Sequence, residues 1–233
     1  MKVPVCVIVG AGPGNGAAFA RQFSRAGYHV ALLARGQETL DGLVSEIADA
    51  RAYRYDATVP ADAERVFAAI RRDLGAPQVL IYNASTREFG NLDATTPDAF
   101  ERAWRVNAYG CLLAVQQVVP DMRAAGQGSI VVIGATASLK GAADFVAFGS
   151  AKAAQRSLAQ SLARQLGPEG IHVSYVIIDA VVDMPSSRAM MPEAPDSVFA
   201  RPDDIAESVL FLAHQPRSAW TFELDLRPFD ERW

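Results

Sequence analysis

The chain is poor in the residues that most often announce a catalytic or metal-bearing site. It has two cysteines in 233 residues. Cys6 falls in an apolar run that reads as a strand, and Cys111 in a stretch that reads as a helix. Their placement suits neither metal binding nor a redox pair, so both read as buried free thiols and no metal site is expected. The three histidines, His29, His172 and His214, are scattered at strand and helix ends, and none joins a nucleophile–base pattern, which argues against a hydrolytic triad. Positive charge is in deficit. The formal net charge of −4 leaves no electrostatic footprint for nucleic acid or an anionic membrane. No apolar run is long enough to span a bilayer. The short apolar stretch from Val3 to Val9 leads into a glycine turn rather than a small-residue cleavage site, so it reads as a first strand and not a signal peptide. A cytoplasmic protein is expected.

What is present is apolar residue in quantity, 50% of the chain, arranged as short β-rich runs alternating with helical stretches. That alternation implies βαβ units and a parallel sheet. The runs VCVIV, VLIY, SIVVI and VSYVII are nearly all apolar, as strands covered on both faces must be. Strands are predicted at 4–9, 29–34, 51–55, 78–82, 129–133, 172–178 and 222–226, and helices at 14–26, 37–48, 61–73, 97–124, 147–166 and 203–213. Thr96-Pro97 and Arg201-Pro202 mark helix starts, and Gly75-Ala76-Pro77, Gly126-Gln127-Gly128 and Gly167-Pro168 mark joins. The expected fold is α/β: a Rossmann-type, doubly wound parallel sheet of about seven strands with helices on both faces, formed by residues 1–233 as one domain. One long irregular stretch, 180–200, follows the sixth strand. Ligands of such sheets sit beyond the carboxyl ends of the strands, so this stretch reads as a substrate lid, with a disordered connector as the alternative.

The most specific motif is VCVIVGAGPGNGAAFARQF. Gly10, Gly14 and Gly16 lie between a buried strand and an amphipathic helix, where glycine lets the backbone turn tightly and approach a pyrophosphate at a helix N-terminus. The spacing resembles that of the short-chain dehydrogenase/reductase family. The resemblance runs over nearly the whole chain and takes in Asp56, Asn83-Ala84, Val106-Asn107, Lys152 and DDIAESVLFLA near the end. It implies that Asp56 lies near the adenine, Asn83-Ala84 by the adenosine ribose, and Lys152 on the nicotinamide ribose hydroxyls. At the end of the second strand stands Arg35, with no acid before Glu38. A guanidinium there suits a ribose 2′-phosphate, so NADP(H) is expected in preference to NAD(H). Asn15, between the last two glycines, completes the expected cofactor set, which is Gly10, Gly14, Asn15, Gly16, Arg35, Asp56, Asn83, Ala84 and Lys152. The family's Asn-Asn-Ala-Gly reads Tyr82-Asn83-Ala84-Ser85 here, and Asp179-Ala180 replaces the Pro-Gly after strand six.

The resemblance also implies a tyrosine, a serine, a lysine and an asparagine at the reacting centre. Asn107 and Lys152 match. Phe148 stands at the tyrosine position and Ala135 at the serine position, so two of the four lack a polar atom. Candidate replacements are Thr136, Ser138, Asp144 and Lys152 itself, with Asn107 in support; Asp144, which precedes the Phe148 helix, has helix capping as its alternative role. Three functions remain open: an NADP(H)-dependent oxidoreductase with a non-standard active site, a non-redox enzyme (isomerase, lyase or cyclase), and an inactive nucleotide-binding or scaffold protein. Met184, Met190, Met191 and Phe199 in the lid point to a small apolar substrate. Helices 97–124 and 147–166 carry apolar residues on more than one face, such as Leu112, Leu113, Val115, Val118 and Val119, and the resemblance implies that they form a subunit interface, so a homodimer or homotetramer is expected.

Overall fold

The computed structural model describes residues 3–231. Seven parallel strands form one sheet in the order β3-β2-β1-β4-β5-β6-β9. They are β1 (Val5–Val9), β2 (His29–Ala34), β3 (Ala50–Arg54), β4 (Pro77–Tyr82), β5 (Gly128–Ala135), β6 (Ile171–Ile178) and β9 (Glu223–Leu226). The order reverses between β1 and β4, and that topological switch opens a crevice at the carboxyl edge. Strand periodicity of two sorts the core into two layers. Val5, Val7 and Val9 face α3 (Pro60–Asp73), α5 (Gly110–Ala125) and α6 (Val146–Leu166). Cys6 and Ile8 face α1 (Asn15–Arg25), α2 (Gln37–Glu46) and α8 (Pro202–Ala213). Cys6 and Cys111 are buried free thiols, one in each layer.

The predicted helix over 97–124 is two helices. α4 (Pro97–Trp104) passes into a π turn, Arg105–Tyr109, before α5 begins. The Gly110 N–H reaches back five residues to the Arg105 carbonyl. Such a turn takes in an extra residue and leaves carbonyls to other donors. Here the Tyr82 hydroxyl donates to the Val106 carbonyl, and the Gln155 amide donates to the Asn107 carbonyl at 2.9 Å. Period alone could not reveal this, because both partners come from other elements. Val115, Val118 and Val119 are buried in the core, Leu112 and Leu113 are half-buried, and the exposed aromatics are Phe100 and Trp104 on α4.

The stretch 180–200 is ordered, against the connector alternative. β7 (Val181–Val182) pairs in parallel with β8 (Phe199–Ala200), and α7 (Pro185–Met190) lies between them. Arg188 staples the segment. Its guanidinium donates to Asp183 at 2.7 and 2.9 Å and to Asp196 at 2.5 Å, and lies 4.0 Å from the centre of the Phe199 ring.

Near the end of β5, Gly134 packs on the wholly buried Tyr175. A Cβ at Gly134 would come within 2.2 Å of the ring. Gly134→Ala is therefore expected to destabilise the fold by about 1–3 kcal/mol. At this chain length each 1 kcal/mol lowers the thermal midpoint by about 2–4 °C. An unchanged midpoint in a thermal melt would mean that the ring yields at no cost.

Candidate active site at the carboxyl edge

The crevice is built by backbone packed against backbone. Gly10 ends β1 with φ +90°, and a Cβ there would lie 2.6 Å from the Ala84 nitrogen. Gly16 comes equally close to the Gly10 carbonyl, where a Cβ would meet oxygen at 2.6 Å. Gly14, with φ +87°, precedes α1, and no side chain caps that helix. The Ala17 N–H donates to the Gly12 carbonyl at 2.9 Å, which leaves the Asn15 and Gly16 N–H groups as the first-turn donors of α1 without a backbone acceptor among the described residues. A Cβ at Gly12 would meet nothing within 4 Å, so the turn is open there. Asn83 locks β4 to the turn, its side-chain amide donating to the Gly10 carbonyl at 2.8 Å. Asn15 is half-buried, and its Oδ1 is buried with no hydrogen-bond partner among the described residues. Met184 of the 180–200 segment leans on the turn, its sulfur 2.7 Å from where a Gly14 Cβ would stand.

The other sequence-predicted residues flank this crevice. Arg35 is exposed just beyond β2. Asp56 follows β3, and its Oδ1 accepts from the Thr58 N–H at 2.9 Å and the Thr58 hydroxyl at 2.7 Å. Asn107 is wholly buried in the π turn. Its amide donates to the Ala103 carbonyl at 2.9 Å, and its Oδ1 accepts from the Ser85 hydroxyl at 2.9 Å. Thr136 donates to Asp179, whose other oxygen pairs with Arg227 at 3.3 Å. Ser138 donates to the Ala135 carbonyl at 2.7 Å. Both candidate hydroxyls are therefore already engaged within the protein.

Lys152 is 3% exposed on α6. Its Nζ donates to the Ile133 carbonyl at 3.0 Å and to Gln155 Oε1 at 3.1 Å. Burial disfavours the charged form and holds its pKa down to about 7, slightly opposed by the Cys111 thiol. The same burial pushes Cys111 up to about 12. Phe148 lies one turn before the lysine, its ring centre 5.9 Å from Nζ. It is part of an aromatic cluster, with ring centres 5.1 Å from Phe89 and 5.8 Å from Phe145. A backbone clasp closes this cluster. The Gly90 N–H donates to the Asp144 carbonyl at 2.7 Å, and the Val146 N–H to the Gly90 carbonyl at 3.2 Å.

Several of these residues escape a reading of the sequence. Gln155 carries a signal, a polar residue three positions after Lys152 on one helical face. Asp179 and Arg227 carry none, because their pairing joins β6 to the far end of the chain. Phe89 likewise reaches Phe148 only through the Gly90 clasp.

The short chain dehydrogenase family model matches residues 4–189. The 2-(R)-hydroxypropyl-CoM dehydrogenase of Xanthobacter autotrophicus is 31% identical over 227 residues, spanning 90% of this chain and 90% of that protein. A short-chain dehydrogenase from Rhodopseudomonas palustris superposes with a TM-score of 0.84 at 33% identity, over 97% of this chain and 99% of its own. A metagenomic short-chain oxidoreductase solved in complex with NADP gives 0.84 at 29% identity, over 97% of each chain. On the extent of these matches, and on the glycine turn and lysine that lie within them, the chain belongs to the short-chain dehydrogenase/reductase family.

Proposed function

We propose that residues 1–233 form one NADP(H)-binding oxidoreductase domain that acts on a small apolar carbonyl or carbinol compound without the family's tyrosine and serine hydroxyls. The observation that carries this reading is the glycine crevice at the β1/β4 switch, open at Gly12 and supplied with uncapped helix N–H groups. A pyrophosphate fits it, because a backbone without side chains can approach the phosphate oxygens and the orphan donors need acceptors. The lowered cation at Lys152 suits the ribose hydroxyls beyond. When bound, the nicotinamide supplies or accepts hydride.

The family resemblance supports roles for the other residues. Arg35 receives the 2′-phosphate, Asp56 flanks the adenine, and Asn83-Ala84 support the adenosine ribose. Phe89, Phe145 and Phe148 wall the substrate side, with Met184 across the crevice, which favours apolar substrates. Lys152 holds the ribose, and Thr136, bonded to Asp179, and Ser138, bonded to the Ala135 carbonyl, are the hydroxyls beside the Ala135 position. Loss of one positioned acid–base group typically lowers a rate by about 10²–10⁴-fold, so turnover is expected to be slow rather than absent. A second reading, a nucleotide-binding protein without turnover, is favoured by the engaged hydroxyls of Thr136 and Ser138 and by the locking of Phe148 in an aromatic cluster.

NADPH is expected to bind more tightly than NADH in a fluorescence titration. Arg35→Ala should weaken NADPH by about 10–100-fold, the worth of a charge-assisted contact, and leave NADH unchanged. Equal losses for both would remove Arg35 from the 2′-phosphate.

Phe148→Tyr combined with Ala135→Ser is expected to raise carbonyl reduction at least tenfold across a panel of apolar ketones and aldehydes, about 1.4 kcal/mol of barrier. If reduction does not rise while NADPH still binds, the reading without turnover takes over.

We also propose a homodimer or homotetramer. The support is the exposed pair Phe100 and Trp104 on α4, the latter stacked on Tyr109 with ring centres 5.8 Å apart. Light scattering at micromolar concentration should give at least twice the 25.0 kDa chain mass. A monomeric mass would reject it.

A further inference from the structure

Lysine is scarce in this chain. Lys2, Lys140 and Lys152 are its only three. Lys152, inside the fold, is held by a side chain to which the proposed chemistry gives no part. Gln155 lies one turn further along α6 and is wholly buried. Its Oε1 accepts from Lys152 Nζ at 3.1 Å, and its Nε2 donates to the Asn107 carbonyl at 2.9 Å. An ammonium offers only donors and a backbone carbonyl only an acceptor, so the amide has one satisfied orientation. The carbonyl it meets belongs to the π turn that also presents Val106 to Tyr82. Two ammonium hydrogens are thereby placed, on the Ile133 carbonyl and on Gln155, which leaves one direction for the third.

We propose that Gln155 is a positioning residue for Lys152: its carboxamide ties the ammonium to the π turn and aims the remaining N–H into the pocket. This rests on the reading that a nicotinamide nucleotide occupies that pocket only for the part of the test that uses cofactor. An apolar side chain of the same size would fill the space. It would also strip the Asn107 carbonyl of this donor and remove one of the two acceptors that stabilise the buried cation. The ionisable groups facing the lysine do not substitute for it. Cys111 on α5 is kept a thiol by burial. Tyr175 on β6 is likewise pushed upward, and its hydroxyl meets the Lys152 carbonyl at 3.4 Å. On α6, Arg156 is turned away to Glu223, at 2.5 and 3.1 Å. No carboxylate among the described residues acts on the ammonium.

The test uses the full chain labelled with ¹³C at lysine Cε, where three lysines give three signals and Lys152→Met identifies the one of interest. In the unmutated protein that signal should titrate near 7, with the ammonium present below that pH and lost above it. Gln155→Leu should lower the midpoint, and Gln155→Glu, which keeps an acceptor and adds charge, should raise it by about one unit or more. NADPH affinity at pH 6 should fall about tenfold in Gln155→Leu, which removes both the acceptor for the ammonium and the donor to the Asn107 carbonyl. A folded Gln155→Leu with an unmoved Lys152 midpoint and unmoved NADPH affinity would reduce Gln155 to packing and overturn the proposal. If Gln155→Leu does not fold, Gln155→Met and Gln155→Glu apply the same criterion. If the unmutated protein binds no NADPH, the cofactor reading fails while the lysine titration still decides the role of Gln155.

Discussion

Contact of main chain with main chain at the β1/β4 switch is the constraint on which the rest of the structure hangs. Gly10, Gly16 and Ala84 meet at distances that no Cβ would permit. A parallel sheet buried on both faces has no room for chemistry within its layers, so polar function is displaced to the strand ends. At that edge the end of β1, the start of α1 and the end of β4 become one rigid surface, with Asn83 riveting it by two hydrogen bonds, its N–H to the Val9 carbonyl and its side-chain amide to the Gly10 carbonyl. Lys152, the π turn and the 180–200 segment are arranged around this surface.

The second constraint is electrostatic. A buried ammonium without a carboxylate partner is costly, and the fold offsets this with neutral dipoles, the Ile133 carbonyl and the Gln155 carboxamide. Neutral partners stabilise the cation less than a carboxylate would, and so the lysine is held near neutrality in its titration. The aromatic cluster beside it shields that environment from water. Gly134 leaves space for the Tyr175 ring, which supports the lysine from below through its backbone carbonyl.

Much of the fold was legible because it is written in local signals. Short β-rich runs, several of them nearly all apolar, and breaker dipeptides located all seven strands of the main sheet to within a residue or two. The glycine triplet marked the crevice, and Asn83, Asn107 and Lys152 do lie at the same edge of the sheet. What stayed hidden depends on partners distant in sequence. The π turn looks like continuous helix until Tyr82 and Gln155 are seen taking its carbonyls. The order of 180–200 comes from Arg188 bridging Asp183 and Asp196, which sequence spacing alone does not reveal. Thr136 read as a candidate catalytic hydroxyl, and its partner Asp179, held in turn by Arg227 from beyond β9, could not be read from spacing.

The Arg188 staple has a thermodynamic consequence. A twenty-residue loop that orders only when ligand arrives must surrender its backbone freedom at that moment, which weakens binding. Here a two-strand clasp, a short helix and a guanidinium shared between two carboxylates hold the segment through contacts of its own, which need no guest to form. Association can then draw on the full strength of the contacts made in the crevice. A cover formed in advance would discriminate among guests by shape rather than by adaptability, according to whether they fit beneath it.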